Sequence, residues 1–273
     1  MTDQESLVFE AGGRRYVDGE QIGCGGMAHI YSAVDEETGE VVAIKIYRDG
    51  CEGALDSSVR AHRLLNGVGS FPRLHYSDDS SYVMDYVDGV NLHNLQLPDE
   101  TAVLTVGYDV AMCLADLHEN LPDQIIHRDV KPSNIVLRYD GVSVLVDFDF
   151  AYVDVLSRHS ATENVGTTQF LSPEQFCHSQ VGPKSDIFSL GSTMYNLLTG
   201  QYLREPHVRL TEAAADKLPQ GRPRDIVARC WRLEREYRSA FFLSEDIRNA
   251  LEESGIDIEE SRRALTELVK ESN

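Results

Sequence analysis

Two aspartates eighteen residues apart, with a Val-rich strand between them, constrain this chain more than any other feature. Asp129 stands in the run His127-Arg128-Asp129-Val130-Lys131-Pro132-Ser133-Asn134, and Asp147 opens Asp147-Phe148-Asp149. Asp129, Lys131 two positions on and Asn134 five positions on suit a loop that receives a hydroxyl proton and holds metal and phosphate. Asp147, on the far side of the strand, offers a second carboxylate that can grip Mg²⁺ bridging nucleotide phosphates.

Two further runs surround this pair. Ile22-Gly23-Cys24-Gly25-Gly26-Met27-Ala28-His29-Ile30 is a glycine-rich strand-turn-strand whose missing side chains let backbone N–H groups close over phosphates. Taken alone it is weak, because any tight hairpin uses glycine. Its weight comes from Val42-Ala43-Ile44-Lys45, an apolar strand ending on a lysine twenty-two residues after Gly23. Downstream lies Gly166-Thr167-Thr168-Gln169-Phe170-Leu171-Ser172-Pro173-Glu174. In order and spacing the set resembles the protein kinases, in their eukaryotic-like bacterial and archaeal Ser/Thr form, over roughly residues 14–252.

That resemblance implies an α+β, two-lobed kinase fold. A small β-rich lobe would run from about 14 to 87 and a larger helical lobe from about 88 to 252, with 253–273 as a helical extension. It implies an ATP- and Mg²⁺-dependent enzyme, with Mn²⁺ able to replace Mg²⁺, that phosphorylates Ser and Thr hydroxyls of protein substrates. Asp129 and Lys131 would be catalytic, and Asn134 and Asp147 would hold the metal. ATP would lie against Ile22, Gly23, Gly25, Gly26, Ile30, Ala43, Lys45, Met84, Asp85, Val87 and Leu137. Met84 takes the gatekeeper position, and backbone groups of Asp85 and Val87 meet the adenine edge. Thr167 would lie near Asp129. Ser160 and Thr162 are the favoured phosphorylation sites of an activation loop whose phosphate would meet Arg128. Glu174 would pair with Arg238, and Asp186 would accept hydrogen bonds from the catalytic-loop backbone.

The sequence departs from the kinase pattern twice. Asp149 stands where kinases carry glycine, so it either stiffens the motif or adds a carboxylate near the metals. Ala61 stands where a helix glutamate normally pairs with the lysine; Glu52 and Asp56 are the nearest acids, and Glu52 is the expected substitute. These departures support the alternative of a pseudokinase or nucleotide-binding signalling scaffold. A small-molecule kinase is disfavoured, because such enzymes usually carry glycine at the position of Arg128 and lack the 166–174 segment.

Composition bounds the partners. Against 25 Lys and Arg stand 45 Asp and Glu, a net charge of −20, which argues against nucleic acid or an anionic membrane as the general partner. Cys24, Cys51, Cys113, Cys177 and Cys230 are scattered without Cys-x-x-Cys spacing, which points to a reducing compartment. The N-terminus lacks a signal-peptide pattern, and the most apolar stretch, 102–117, is broken by Asp109 and Asp116. A cytoplasmic protein with no membrane span is expected; the oligomeric state stays open.

Periodicity places these motifs. Strands dominate from 7 to about 86, interrupted by one helix over 54–66 with Leu55, Val59, Leu64 and Leu65 at helical spacing. From about 91 the pattern turns helical: Asp99-Glu100 opens a long helix to Leu121, short strands follow at 135–137 and 144–146, and a last helix occupies 256–271.

Overall fold

The computed structural model describes residues 7–121, 123–154, 167–203, 208–232 and 235–272. The chain divides into two compact units, Met1–Val87 and Asp88–Asn273.

In the first unit, β1 (Leu7–Ala11), β2 (Arg14–Cys24), β3 (Ala28–Asp35) and β4 (Val41–Tyr47) run as an antiparallel meander. Helix α1 (Glu52–Leu65) follows, then β5 (Leu74–Ser77) and β6 (Ser81–Asp85), giving the sheet order β1-β2-β3-β4-β6-β5. β4 is β-branched and almost wholly buried because both sheet faces are covered. One face packs Tyr16, Ala33, Val42, Ile44 and Val83 together. The other carries Ala28, Tyr47 and Tyr82 against Leu55 and Val59 of α1. Pairing of Ile30 with Lys45, Lys45 with Tyr82 and Ala43 with Met84 puts Ile30, Ala43, Lys45 and Met84 on that second face.

The second unit opens with β7 (Gly89–Asn91) and then α2 (Glu100–Glu119), whose N-terminus is capped by the Asp99 carboxylate accepting from Ala102 N at 2.9 Å. α2 is apolar on nearly all sides and runs through the middle of the unit, with Val110, Leu114 and Leu117 fully buried. β8 (Gln124–Ile126), β9 (Ile135–Arg138), β10 (Ser143–Leu145) and β11 (Tyr152–Asp154) are short. Among the described residues they form one sheet of order β10-β9-β7 and a β11-β8 pair. Helices α3 (Pro173–Phe176), α4 (Pro183–Thr199), α5 (Val208–Ala215), α6 (Arg222–Cys230), α7 (Ala240–Glu253) and α8 (Ile258–Glu271) complete the unit. α4 has Pro183 in its first turn, where the missing N–H costs nothing, and ends on Gly200 in the left-handed region that glycine adopts cheaply. α8 is amphipathic: Ser261, Leu265 and Val269, four residues apart, form its buried stripe. Among the described residues no helix is long and apolar enough to cross a membrane, and all five cysteines are free.

Candidate functional site

The loop of Asp129 is held by groups around it. Asp186, fully buried in the first turn of α4, accepts from Arg128 N and His127 N, each at 2.8 Å, and bonds His118 Nε2 at 2.9 Å. Gln175 Nε2 donates to the Arg128 carbonyl at 2.8 Å. Arg128 sits at φ 68°, a conformation costly for a long side chain, and these bonds on its amide and carbonyl hold it there. His127 is fully buried beside the Phe148 ring, 5.0 Å between centroids. Its Nδ1 accepts from Asp129 N and its Nε2 donates to the Val146 carbonyl, both at 3.3 Å, which fixes one neutral tautomer. Burial pulls the His127 imidazolium down in pKa, against the opposing pull of Asp186, Asp129 and Asp147.

Asp129 gathers donors on both oxygens. Oδ1 accepts from Thr167 N at 3.0 Å and Thr167 Oγ1 at 3.2 Å. Oδ2 accepts from Asn134 Nδ2 at 2.9 Å and faces Lys131 Nζ at 2.7 Å. Lys131 Nζ also donates to Thr167 Oγ1 at 2.7 Å, closing a triangle of Asp, Lys and Thr. Ser160 and Thr162 lie outside the described residues.

Asn134 Nδ2 donates again to the Asp129 carbonyl at 2.9 Å, so the amide nitrogen is committed and Oδ1 is the atom left to ligate. Val146 N donates to the Asn134 carbonyl at 2.9 Å, which ties this residue to the strand leading into Asp147. An amide oxygen and a carboxylate are the hard donors Mg²⁺ takes while keeping phosphate and water oxygens. Among the described residues no cluster of three or more His, Cys, Asp or Glu could hold a metal. Asp147 lies at φ 70°, and its Oδ1 accepts from Asp149 N at 3.3 Å. The left-handed residue of the motif is thus Asp147; Asp149 is buried without a positive φ, so aspartate in the glycine position is unstrained.

In the first unit, Gly25 N donates to the Ala28 carbonyl at 2.9 Å and closes the glycine turn. A Cβ on Gly26 would meet nothing within 4 Å, and one on Gly25 only the Ala28 carbonyl at 3.8 Å; neither has positive φ. The turn itself therefore does not require these glycines, whereas a ligand approaching the backbone would. At Gly23 a Cβ would touch Ile30 at 3.4 Å, and Ile22 is exposed. Lys45 is buried with its Nζ 5.3 Å from the Tyr47 ring centroid. Ala43 is buried, and Met84 and Val87 are partly so. Asp85 gives its N–H to the Arg73 carbonyl at 2.9 Å, and its carboxylate holds Arg73 and His75. Leu137, in the second unit, is fully buried in β9.

Two pairings expected from the sequence are not formed. Glu174 pairs with Arg232, not Arg238: Arg232 Nη2 and Nη1 reach its two oxygens at 2.7 and 3.0 Å, and Ser185 Oγ donates at 2.6 Å. Arg232 follows α6 at φ 63°, which turns the chain so that this guanidinium points back, while Arg238 is exposed. Glu52 does not serve Lys45. Standing in the open first turn of α1, it accepts from Gly50 N at 3.1 Å, and backbone N–H groups there hold its carboxyl below the usual range. Ala61 is fully buried. Gln175 and His118 join the site through Arg128 and Asp186. Nothing in their spacing marks them, since both act by tertiary contact with the loop.

Residues 16–220 match the protein kinase domain family. A probable serine/threonine-protein kinase of Streptomyces coelicolor is 34% identical over 220 residues, 72% of this chain and 31% of that protein. Serine/threonine-protein kinase PknB of Mycobacterium tuberculosis is 31% identical over 208 residues, 68% of this chain and 33% of that protein. Serine/threonine-protein kinase PAK 1 of Mus musculus is 30% identical over 227 residues, 77% of this chain and 41% of that protein. The matched lengths cover less than half of each of these relatives.

Proposed function

Because this chain belongs to the protein kinase family, we propose that it transfers the γ-phosphoryl group of ATP to serine and threonine hydroxyls of protein substrates. The observation that carries the reading is the convergence of Lys131, Asn134 and Thr167 on the two oxygens of Asp129. Phosphoryl transfer needs aimed charge more than covalent chemistry. Asp129 is aimed to take or orient the proton of the acceptor hydroxyl. Lys131 can swing its ammonium to the charge that builds on the transferred group. Asn134 and Asp147 would hold Mg²⁺, which when bound neutralises and orients the phosphates. Lys45 and the bare backbone of Gly25 and Gly26 would take further phosphate oxygens.

Thr167, bonded to both Asp129 and Lys131, supports Ser/Thr acceptors, and the acidic chain supports basic acceptor proteins over nucleic acid. A second reading, a scaffold that binds nucleotide without transfer, is favoured by one observation: Ala61, fully buried, stands at the position that the kinase pattern gives to a helix glutamate.

One assay separates the two. Wild-type protein, Asp129→Asn, Asp147→Asn and Lys45→Met are incubated with γ-labelled ATP, Mg²⁺ and a basic acceptor protein. The kinase reading expects label on Ser or Thr in wild type and losses of at least about a hundredfold in each variant. ATP bound by folded wild type with no label transferred would establish the scaffold.

A further inference from the structure

The family match ends at residue 220, yet α8, thirty-eight residues further on, packs into the unit that carries Asn134 and Asp147. Its buried stripe lies on α2, where Ser261 Oγ and Thr105 Oγ1 share a hydrogen bond of 2.6 Å. Its backbone also meets the β9–β10 turn: Gly141 has φ 82°, and a Cβ there would lie 2.0 Å from the Arg262 carbonyl oxygen. Only glycine fits that approach.

Between helix and hairpin stands Asp109 of α2, its side chain 2% exposed. Oδ1 takes Arg262 Nη2 of α8 at 2.5 Å, and Oδ2 takes Ser143 N, the first residue of β10, at 2.8 Å. Arg262 is steadied in turn by Glu259 and by the Tyr108 ring, 6.0 Å from its guanidinium carbon. Burial pushes the Asp109 carboxyl up in pKa, and Arg262 pulls it back part of the way. Without Arg262 the carboxylate would be a buried charge with no counter-ion, which such a site tolerates poorly. From Ser143 the strand runs to Val146, whose N–H holds the Asn134 carbonyl, and then to Asp147. Asn134 and Asp147 thus bracket the hairpin that Asp109 anchors.

We propose that α8, through Arg262 acting on Asp109, sets the β9–β10 hairpin and with it the spacing of Asn134 and Asp147, so that Arg262 is a positioning residue for the metal site. The inference rests on the kinase reading above for what those two residues bind. A merely structural ion pair would stabilise the fold and leave metal affinity alone. A positioning pair changes affinity, as partners behind metal ligands do, by about ten- to a hundredfold.

The test compares wild type, Arg262→Met and the double variant Asp109→Asn with Arg262→Met. The readouts are Mn²⁺ binding in the presence of ATP by electron paramagnetic resonance, amide exchange across 143–147, and Mg²⁺ half-saturation of transfer. Arg262→Met is expected to weaken Mn²⁺ binding about tenfold and to speed exchange locally at 143–147. The double variant should return both towards wild type, because an asparagine oxygen accepts from Ser143 N without needing a counter-charge. Unchanged Mn²⁺ binding in folded Arg262→Met, or a double variant as impaired as the single, overturns the proposal. If Arg262→Met does not fold, Arg262→Lys, which keeps the counter-charge but not the guanidinium contact to Asp109, takes its place: weakened Mn²⁺ binding with faster exchange at 143–147 supports the proposal, and wild-type binding overturns it. Failure of wild type itself to bind Mn²⁺ with ATP would fell the kinase reading and this inference together. Normal wild-type binding with an indifferent Arg262→Met fells only the second.

Discussion

Asp129 holds four donors on two oxygens: Thr167 N, Thr167 Oγ1, Asn134 Nδ2 and Lys131 Nζ. A carboxylate offers about four lone-pair positions, so an acceptor hydroxyl must displace one of these donors before it can give up its proton. Asn134 is held by a second bond to the Asp129 carbonyl, and Thr167 N belongs to the backbone. Lys131 and the Thr167 hydroxyl are the groups able to leave. Lys131 departing towards the phosphate would leave Thr167 Oγ1 to keep the carboxylate aimed. Thr167→Val, which keeps the amide bond and deletes the hydroxyl, is therefore expected to slow transfer by about ten- to a hundredfold, the worth of a hydrogen bond to a charged group. ATP KM should hold nearly constant, and Thr167→Ser should stay near wild type. Steady-state kinetics at saturating ATP would check this; a Thr167→Val enzyme at full speed would show the hydroxyl to be idle. Asp149 teaches the converse lesson at the same scale. Aspartate in a glycine position suggests strain on paper, but the left-handed φ falls on Asp147 two residues earlier, and no spacing argument could have told which residue turns.

At the scale of elements, what could be read in advance was whatever depends on local pattern. The apolar spacing of Leu55 and Val59 marks α1, and Asp99 marks the start of α2 with the capping bond the structure contains. The hairpin of β9 and β10 is legible from its β-branched runs. The three-residue pair of β8 and β11 is not, because strands that short exist only through their partners. The Glu174 pairing failed for the same physical reason: Arg229, Arg232, Arg235 and Arg238 all follow or end α6, and only the positive φ of Arg232 selects which guanidinium turns back. That selection can be measured. Arg232→Ala is expected to destabilise by about 2 kcal/mol, from the loss of hydrogen bonds to a charged partner, and Arg238→Ala to lie within about 0.5 kcal/mol of wild type. Burial pushes the Glu174 carboxyl up, but Arg232 and Ser185 pull it further down, so it lies below the ordinary range when folded. A depressed carboxyl contributes stability above its unfolded pKa of about 4.3 and loses it as pH falls towards the folded value. Glu174→Gln should thus be less stable than wild type at neutral pH, with the gap closing below about pH 4.3. Urea titrations at several pH values would reveal it, and a gap that stayed constant would mean that the bonds do not depend on charge.

Over the whole molecule the dominant fact is an excess of acids that the cations cannot neutralise: 25 Lys and Arg face 45 Asp and Glu, and the pI is near 4.7. Several ion pairs are solvent-exposed, such as Arg15 with Glu36 and Lys270 with Glu267. Exposed pairs of this kind contribute about 0–1 kcal/mol each, and salt weakens them. Salt also weakens the mutual repulsion of the remaining acids, which opposes the compact state. The two effects have opposite signs, and the size of the net charge decides between them. Raising NaCl from about 0.1 to about 1 M shrinks the screening length from about 10 to about 3 Å. The melting temperature is therefore expected to rise with salt, while the KM for a basic acceptor protein rises too, because the same field that strains the fold attracts the substrate. A melting temperature that fell instead would mean that networks such as Asp246 with Arg222 and Arg229 outweigh the long-range repulsion. The acidic surface would then have to be explained by its partners alone.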